Sequence, residues 1–278
     1  LEQALQAARS NNPFLKPERL NTAIAQSDVV TAGLRPNPVL NNQTLQLMND
    51  KYFSPGTRFY NPHNRQVWWQ ATKQFQFSDQ RRYKQEVALN NVSVTEKAYT
   101  DAERNILLET GNKWLDVWYS KVDLDLIQQA QTNIDSLVKT QEVRLKNQVI
   151  STSDLMRTQL LLEQYTLQLK SAGQRYRNEL KNLELLIGSA DSVAIEEDAP
   201  LFASDLSQAL DSLVQLSFHQ RPDMQAAQAT IELSKSNIKL QHALARPVPE
   251  LGFIWNPQNT VPYFGFFATI DLPFFNRN

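Results

Sequence analysis

The sequence has no cysteine, only 7 glycines in 278 residues, and no excess of either charge, with 28 Lys and Arg against 29 Asp and Glu. Without cysteine the chain holds no disulfide, no thiolate zinc site or iron–sulfur cluster, and no thiol nucleophile. Average usage of about 7% would supply nearly three times as many glycines, so phosphate-cradling glycine loops are not expected. Balanced charge offers no basic field to recruit nucleic acid or an anionic membrane surface in bulk. No run approaches the roughly 18 uncharged apolar residues of a spanning helix. His63, His219 and His242, with Met48, Met156 and Met224, are not spaced as ligand pairs on one element, so no metal site is expected. No Ser/His/Asp or paired-carboxylate set stands out from the 29 acids, and neither enzymatic chemistry nor a cofactor is expected.

Proline is abundant but confined. Its 13 copies leave residues 63–199 entirely free of it, a stretch rich in Leu, Gln, Glu, Lys, Asn and Ala whose only glycines are Gly111, Gly173 and Gly188. That composition predicts long uninterrupted helices. Apolar residues recur at helical spacing from Val87 through Val94, Ile106, Trp114 and Val117 to Val138, predicting one helix from about Asp79 to Asn147. At 1.5 Å per residue such a rod is about 100 Å long. A second periodic stretch from Leu155 to Ile187 ends at Gly188, a good C-terminal cap, and the intervening 148–154 breaks the first helix and caps the second. The pair forms an antiparallel hairpin.

Outside the proline gap the period changes from 3.6 to 2. In Gln66 to Ser78, residues Val67, Trp69, Ala71, Phe75 and Phe77 share one face, interrupted by Lys73. Phe264, Phe266, Ala268, Ile270 and Leu272 do the same in a second strand, and Val39 to Asn49 and Glu250 to Asn256 are their upstream partners. Residues 50–78 and 250–275 hold 16 of the 26 aromatics. Strands of about 10 residues with one apolar, aromatic face suit a membrane barrel rather than a soluble edge. Val67, Trp69, Ala71, Phe75, Phe264, Phe266, Ala268 and Ile270 are the predicted lipid-facing set, with Trp68, Trp69, Tyr263 and Phe264 as an interfacial girdle. The long loop containing Tyr52-Phe53-Ser54-Pro55-Gly56 suits a cell-surface loop.

The same plan occurs twice. Sliding the chain by 209 residues aligns Pro13 with Pro222, Pro38 with Pro247 and Val39 with Val248. In each copy a helix opens at Asn12-Pro13 or Arg221-Pro222 and ends in a double-proline corner, Pro36 and Pro38 or Pro247 and Pro249, where fixed φ turns helix into strand. The resulting segments are helices of the first repeat (1–38), a β-hairpin (39–78), a long helical hairpin (79–188), a connector (189–204), helices of the second repeat (205–247), a β-hairpin (248–275) and the start of a further rod (276–278). The fold class is thus mostly α with β, four strands joined to a long helical hairpin. If the repeat holds, the chain is a fragment lacking a last hairpin. Four strands cannot close, and lipid tolerates no open sheet edge, so copies must pool them: two give eight, three give twelve.

Taken in order, Asn12-Pro13, Leu34-Arg35-Pro36-Asn37-Pro38-Val39-Leu40, Arg221-Pro222-Asp223 and Leu272-Pro273-Phe274-Phe275-Asn276-Arg277-Asn278 resemble the TolC-like outer-membrane efflux channels. That resemblance implies a homotrimer with a 12-stranded β-barrel in the outer membrane and an α-barrel in the periplasm. It further implies a passive conduit docked on a periplasmic adaptor and an inner-membrane pump of the resistance-nodulation-division type, or on a type I secretion transporter. It places an equatorial collar at the 189–204 connector, and adaptor docking at the hairpin tip, through Asn147, Gln148, Val149, Ser153, Asp154 and Leu155. Gln148 stands where the family has glycine. The alternative from another class is a soluble periplasmic coiled-coil adaptor or scaffold, which detergent dependence distinguishes.

Overall fold

The computed structural model describes residues 1–77, 79–189, 193–195, 208–258 and 261–272. In chain order these form α1 (Glu2–Asn11), α2 (Leu15–Ala32), β1 (Val39–Gln46), β2 (Arg65–Gln74), α3 (Gln80–Lys146), α4 (Thr152–Ile187), α5 (Leu210–Gln220), α6 (Pro222–Leu244), β3 (Glu250–Gln258) and β4 (Val261–Thr269). The proline-free gap becomes the 67-residue α3 and the 36-residue α4. The doubled plan is present as well: short helix, longer helix and β-hairpin occur once as α1, α2, β1, β2 and again as α5, α6, β3, β4. The acidic run Glu196-Glu197-Asp198 of the connector, and Pro273 to Asn278, which include the end of the second expected β-hairpin and the expected start of a further rod at 276–278, lie outside the described residues.

Two compact units divide the chain, and α2, α3 and α6 each contribute to both. The first comprises Leu1–Asn21 with Lys97–Gln225. Its core is Ala8 of α1 against Trp114 and Val117 of α3 and Leu183 and Ile187 of α4, flanked by Ala4, Trp118, Tyr176 and Leu180. Each large apolar side chain buried there stabilises by about 1.5–3 kcal/mol relative to exposure. Lys113 with Glu179 (3.4 Å) and Arg175 with Asp123 (3.3 Å) also link α3 to α4, but exposed pairs contribute little beside the apolar contacts. α4 ends where Gly188 takes φ 64°, its N–H returning to Leu185 and that of Ser189 to Glu184. A Cβ on Gly188 would also run into the backbone of Asn11, whose carbonyl carbon lies 2.9 Å from that position, so the site needs glycine twice over.

The second unit, Thr22–Glu96 with Ala226–Asn278, holds the sheet. Its strands are antiparallel in the order β1-β2-β3-β4. Gln80, the first residue of α3, is buried and donates its amide to the carbonyls of Ala243 (3.0 Å) and Arg246 (3.2 Å), tying the start of α3 to the end of α6. Both helices that lead into strands stop early. α2 ends at Ala32 rather than at Arg35, because Gly33 follows and Pro36 denies Arg35 the helical region; α6 likewise ends at Leu244, before Pro247.

The expected strand Gln66 to Ser78 also stops short, at Gln74, and Pro249 is the reason. Gln74 pairs with Glu250, and the next N–H, from Phe75, does reach the Pro249 carbonyl at 2.9 Å. Proline has no N–H to return, so the ladder ends. On the other side of β3, Thr269 pairs with Glu250, the residue next to the same proline, and the ladder ends before Ile270. Phe75 and Ile270, both expected within lipid-facing strands, therefore lie just beyond the strand ends.

Candidate functional site

Directly opposed residues in an antiparallel ladder project to the same side. Following the register Asn42–Trp69–Trp255–Phe264 and Leu40–Ala71–Phe253–Phe266 assigns one face to Leu40, Val67, Trp69, Ala71, Leu251, Phe253, Trp255, Phe264, Phe266 and Ala268, with Asn42, Thr44, Arg65 and Lys73 toward its margins. Six of the eight residues expected to face lipid share that face: Val67, Trp69, Ala71, Phe264, Phe266 and Ala268. Among the described residues nothing covers it. Phe266 is 82% exposed and Phe264 63%, their rings meeting edge-on at 5.0 Å, and Phe253 lies 6.0 Å from Phe264. A contiguous aromatic patch of this kind marks a surface meant for lipid or another protein.

The opposite face is mostly polar, carrying Asn41, Gln43, Gln66, Gln70, Thr72, Glu250 and Thr269, with Val39, Leu45, Ile254 and Val261 among them. It also carries Trp68 and Tyr263, which corrects the girdle expectation: they alternate with Trp69 and Phe264 and so point the other way, leaving only the latter two on the apolar side. Phe267 sits on the polar face for a packing reason. Its partner is Gly252, and the ring occupies the place of a Cβ there, its Cζ 2.6 Å from where that atom would be. Among the described residues β1 and β4 are the outer strands, so each presents an unpaired edge. No helix among these residues is long and apolar enough to cross a membrane, and no group of three His, Asp or Glu is arranged to hold a metal ion.

The loop from Leu47 to Asn64 is ordered by one residue that the sequence reading missed. Asn64 is buried, accepts the Ser54 N–H (2.9 Å), and donates to Thr57 Oγ1 and the Arg58 carbonyl (both 2.9 Å). Gln46 adds bonds to the Phe59 (2.6 Å) and Asn64 (3.0 Å) carbonyls. Asparagine in a loop is ordinary in a sequence, and only its contacts distinguish this one.

At the hairpin tip α3 ends as α4 does. The Gln148 N–H returns to Leu145 and that of Val149 to Arg144, both at 2.9 Å, a pattern that requires a left-handed residue at position 148. Gln148 has φ 58°, an uncommon and costly conformation for a residue with a side chain. Gln148→Gly is expected to stabilise the hairpin by about 0.5–1 kcal/mol, read as a higher denaturation midpoint at unchanged slope; an unchanged or lower midpoint contradicts the strain.

Ser151 then caps α4 in a capping box. Its Oγ accepts the Asp154 N–H (3.2 Å) and its hydroxyl donates to Asp154 Oδ2 (2.7 Å), as does its backbone N–H (3.3 Å). The Ser151 hydroxyl first, then its N–H, hold the Asp154 carboxyl below its usual value, with a smaller pull from Arg157. A lowered folded value means stability present above the ordinary carboxylate range near 4, and lost as pH falls through the lowered value. NMR titration should therefore place the Asp154 carboxyl below about 3.9, and an ordinary or higher value would mean the box is absent in solution. Of the six tip residues, Asn147, Gln148, Val149, Ser153 and Asp154 are exposed, whereas Leu155 is 9% exposed and packs inward. Met156, which was not among the expected tip residues, is 62% exposed and Val149 68%, so the tip offers two apolar side chains among polar ones.

No family model matches the sequence, and no curated protein matches it either. Solved structures do. A membrane protein of Pseudomonas aeruginosa superposes with a TM-score of 0.77 at 17% identity, over 99% of this chain and 67% of its own. The CmeC outer membrane channel of Campylobacter jejuni gives 0.73 at 13% identity, over 99% and 61%. The open-state MtrE outer membrane channel of Neisseria gonorrhoeae gives 0.71 at 18% identity, over 99% and 63%. The chain has the TolC-like outer-membrane channel fold along nearly its whole length, and spans 61–67% of the length of these neighbours.

Proposed function

We propose that this chain belongs to an outer-membrane channel, the passive conduit of a tripartite efflux system. Its four strands join those of two further copies in a twelve-stranded barrel. The single observation that carries this reading is the two-faced sheet, predominantly apolar and aromatic on one side and predominantly polar on the other, with unpaired edges at β1 and β4 among the described residues. In water the aromatic face is unfavourable, and in lipid the open edges are. Closure with sister copies satisfies both. The strands, 8 to 10 residues long, also suit the roughly 9–11 residues that cross the hydrocarbon obliquely.

Exposed apolar residues on α3 and α4, among them Leu108, Leu126, Leu160 and Leu167, support the same view, because each helix retains an apolar side that its own hairpin does not use. In this reading the helical part lies in the periplasm, and the tip at Asn147, Gln148, Val149, Ser153 and Asp154 meets an adaptor that couples the channel to an inner-membrane pump. The channel breaks no bond, and its substrates are those the pump delivers. The test is the behaviour of the purified protein: extraction only with detergent and the mass of a trimer support the channel, and a detergent-free soluble monomer overturns it.

A further inference from the structure

We propose that the foot of the sheet binds an anionic phospholipid, its phosphate held by Arg35, Lys73 and Arg81 and one acyl chain lying in the apolar groove beside them. The inference rests on the reading that the apolar face lies in lipid. Two adjoining cavities carry it. One, about 280 Å³, runs over the apolar face between Ala71, Leu251, Phe253 and Phe266 and is bounded by Lys73 and Phe75. The other, about 210 Å³, lies at the double-proline corner among Arg35, Pro36, Phe77 and Arg81, and shares Lys73 and Phe75 with the first. An apolar trough that opens at one end into a cationic pocket has the chemistry of an amphiphile with a negative head.

The charges there are arranged against local preference. The first turn of α3 contains Arg81 and Arg82 and no acid, although the positive end of a helix favours carboxylates and disfavours cations. Arg82 is accounted for by Asp79 at 3.9 Å and by the Tyr83 ring, 5.0 Å beneath its guanidinium. The side chains of Arg35, Lys73 and Arg81 have no hydrogen-bond or ion-pair partner among the described residues. Lys73 is half-buried on the apolar face, opposite Leu251, an arrangement in which the aliphatic stem covers apolar surface and the ammonium reaches the polar boundary. Phe75, which lines both cavities, stacks with Phe77 of the corner cavity at 6.1 Å and 13°. Three unpaired cations at one boundary suit a phosphate, which accepts charge-assisted bonds from guanidinium and ammonium alike, and the groove selects a phosphate that carries an acyl chain.

The test uses the intact oligomer in a neutral detergent, supplied with equal amounts of phosphatidylglycerol and phosphatidylcholine and read by native mass spectrometry. The wild type is expected to retain phosphatidylglycerol over phosphatidylcholine by at least about tenfold. A triple variant, Arg35→Gln, Lys73→Gln and Arg81→Gln, is expected to fall to about parity with its oligomer mass unchanged. The three single variants, each expected to lose part of the preference, keep the test decisive should the triple variant fail to assemble. Equal retention of both lipids by the wild type overturns the proposal, as does undiminished preference in the variants. Complete displacement by inorganic phosphate would identify a free-phosphate site, and a photo-crosslinker at Phe253 that captures only another copy of the chain would identify a subunit contact; either overturns it. A protein that is soluble and monomeric without detergent removes the membrane reading itself, an outcome scored before any lipid is added.

Discussion

Ala71→Arg or Phe266→Arg is expected to abolish assembly of the channel in the outer membrane, while Gln70→Arg and Thr72→Arg, one residue to either side of Ala71, leave assembly intact. Ala71, Phe253 and Phe266 lie in one transverse row of the sheet, all on the apolar face. An arginine facing lipid costs about 2–4 kcal/mol at the bilayer midplane and about 1 kcal/mol near its boundary. Three copies in a closed barrel multiply this to about 3–12 kcal/mol, which reaches the whole net stability of a typical folded protein, about 5–15 kcal/mol. Gln70 and Thr72 project to the polar face, where water or lumen solvates the guanidinium. Heat-modifiable trimers in outer-membrane fractions provide the readout. Trimers at wild-type levels in Ala71→Arg and Phe266→Arg would show that this face does not meet lipid, and loss of trimers in Gln70→Arg would show that the faces are exchanged.

The alternation behind this prediction was legible because a strand's period of 2 survives in one sequence without knowledge of its neighbours. Val67, Trp69 and Ala71 could be placed on one side from spacing alone. What spacing could not give was the end of the ladder. Phe75 continues the alternation perfectly, yet lies outside β2 because its partner across the sheet is Pro249, a residue 174 positions away that has no N–H. The girdle expectation failed differently, since it grouped Trp68 with Trp69 by residue type when adjacent residues in a strand must face apart. The rods were legible from the proline-free gap, and their caps from Ser151, Asp154 and Gly188, since helix ends are decided by local chemistry. The exception at the tip is informative: Gln148 adopts a backbone conformation that sequence would reserve for glycine, because the return bonds from Gln148 and Val149 impose it. Leu155 was assigned to the tip surface by its place in a motif, and the hairpin contact took it inward.

Asn12 joins what could be read to what could not. Asn-Pro was recognisable as a helix opening, and Asn12 Oδ1 does accept the N–H groups of Phe14 (2.8 Å) and Leu15 (3.3 Å), satisfying the start of α2. Its other end was invisible in sequence. Nδ2 donates to the Leu186 carbonyl in the last turn of α4 at 2.6 Å, and the side chain is 1% exposed. One amide therefore supplies an acceptor to a helix start and a donor to a helix end. Asn12→Ala removes the cap, about 1 kcal/mol, and strands a buried carbonyl, about 1–3 kcal/mol, so a loss of about 3 kcal/mol is expected. Asn12→Ser keeps an acceptor for the helix start but loses the reach to Leu186, and should fall between. Asn12→Asp keeps the cap but sets a carboxylate oxygen against the Leu186 carbonyl, and should be worse than Ser although aspartate is the better cap in isolation. Denaturation midpoints of the three variants decide the matter: Asp at or above Ser would mean that the bond to Leu186 contributes nothing and that Asn12 is only a cap.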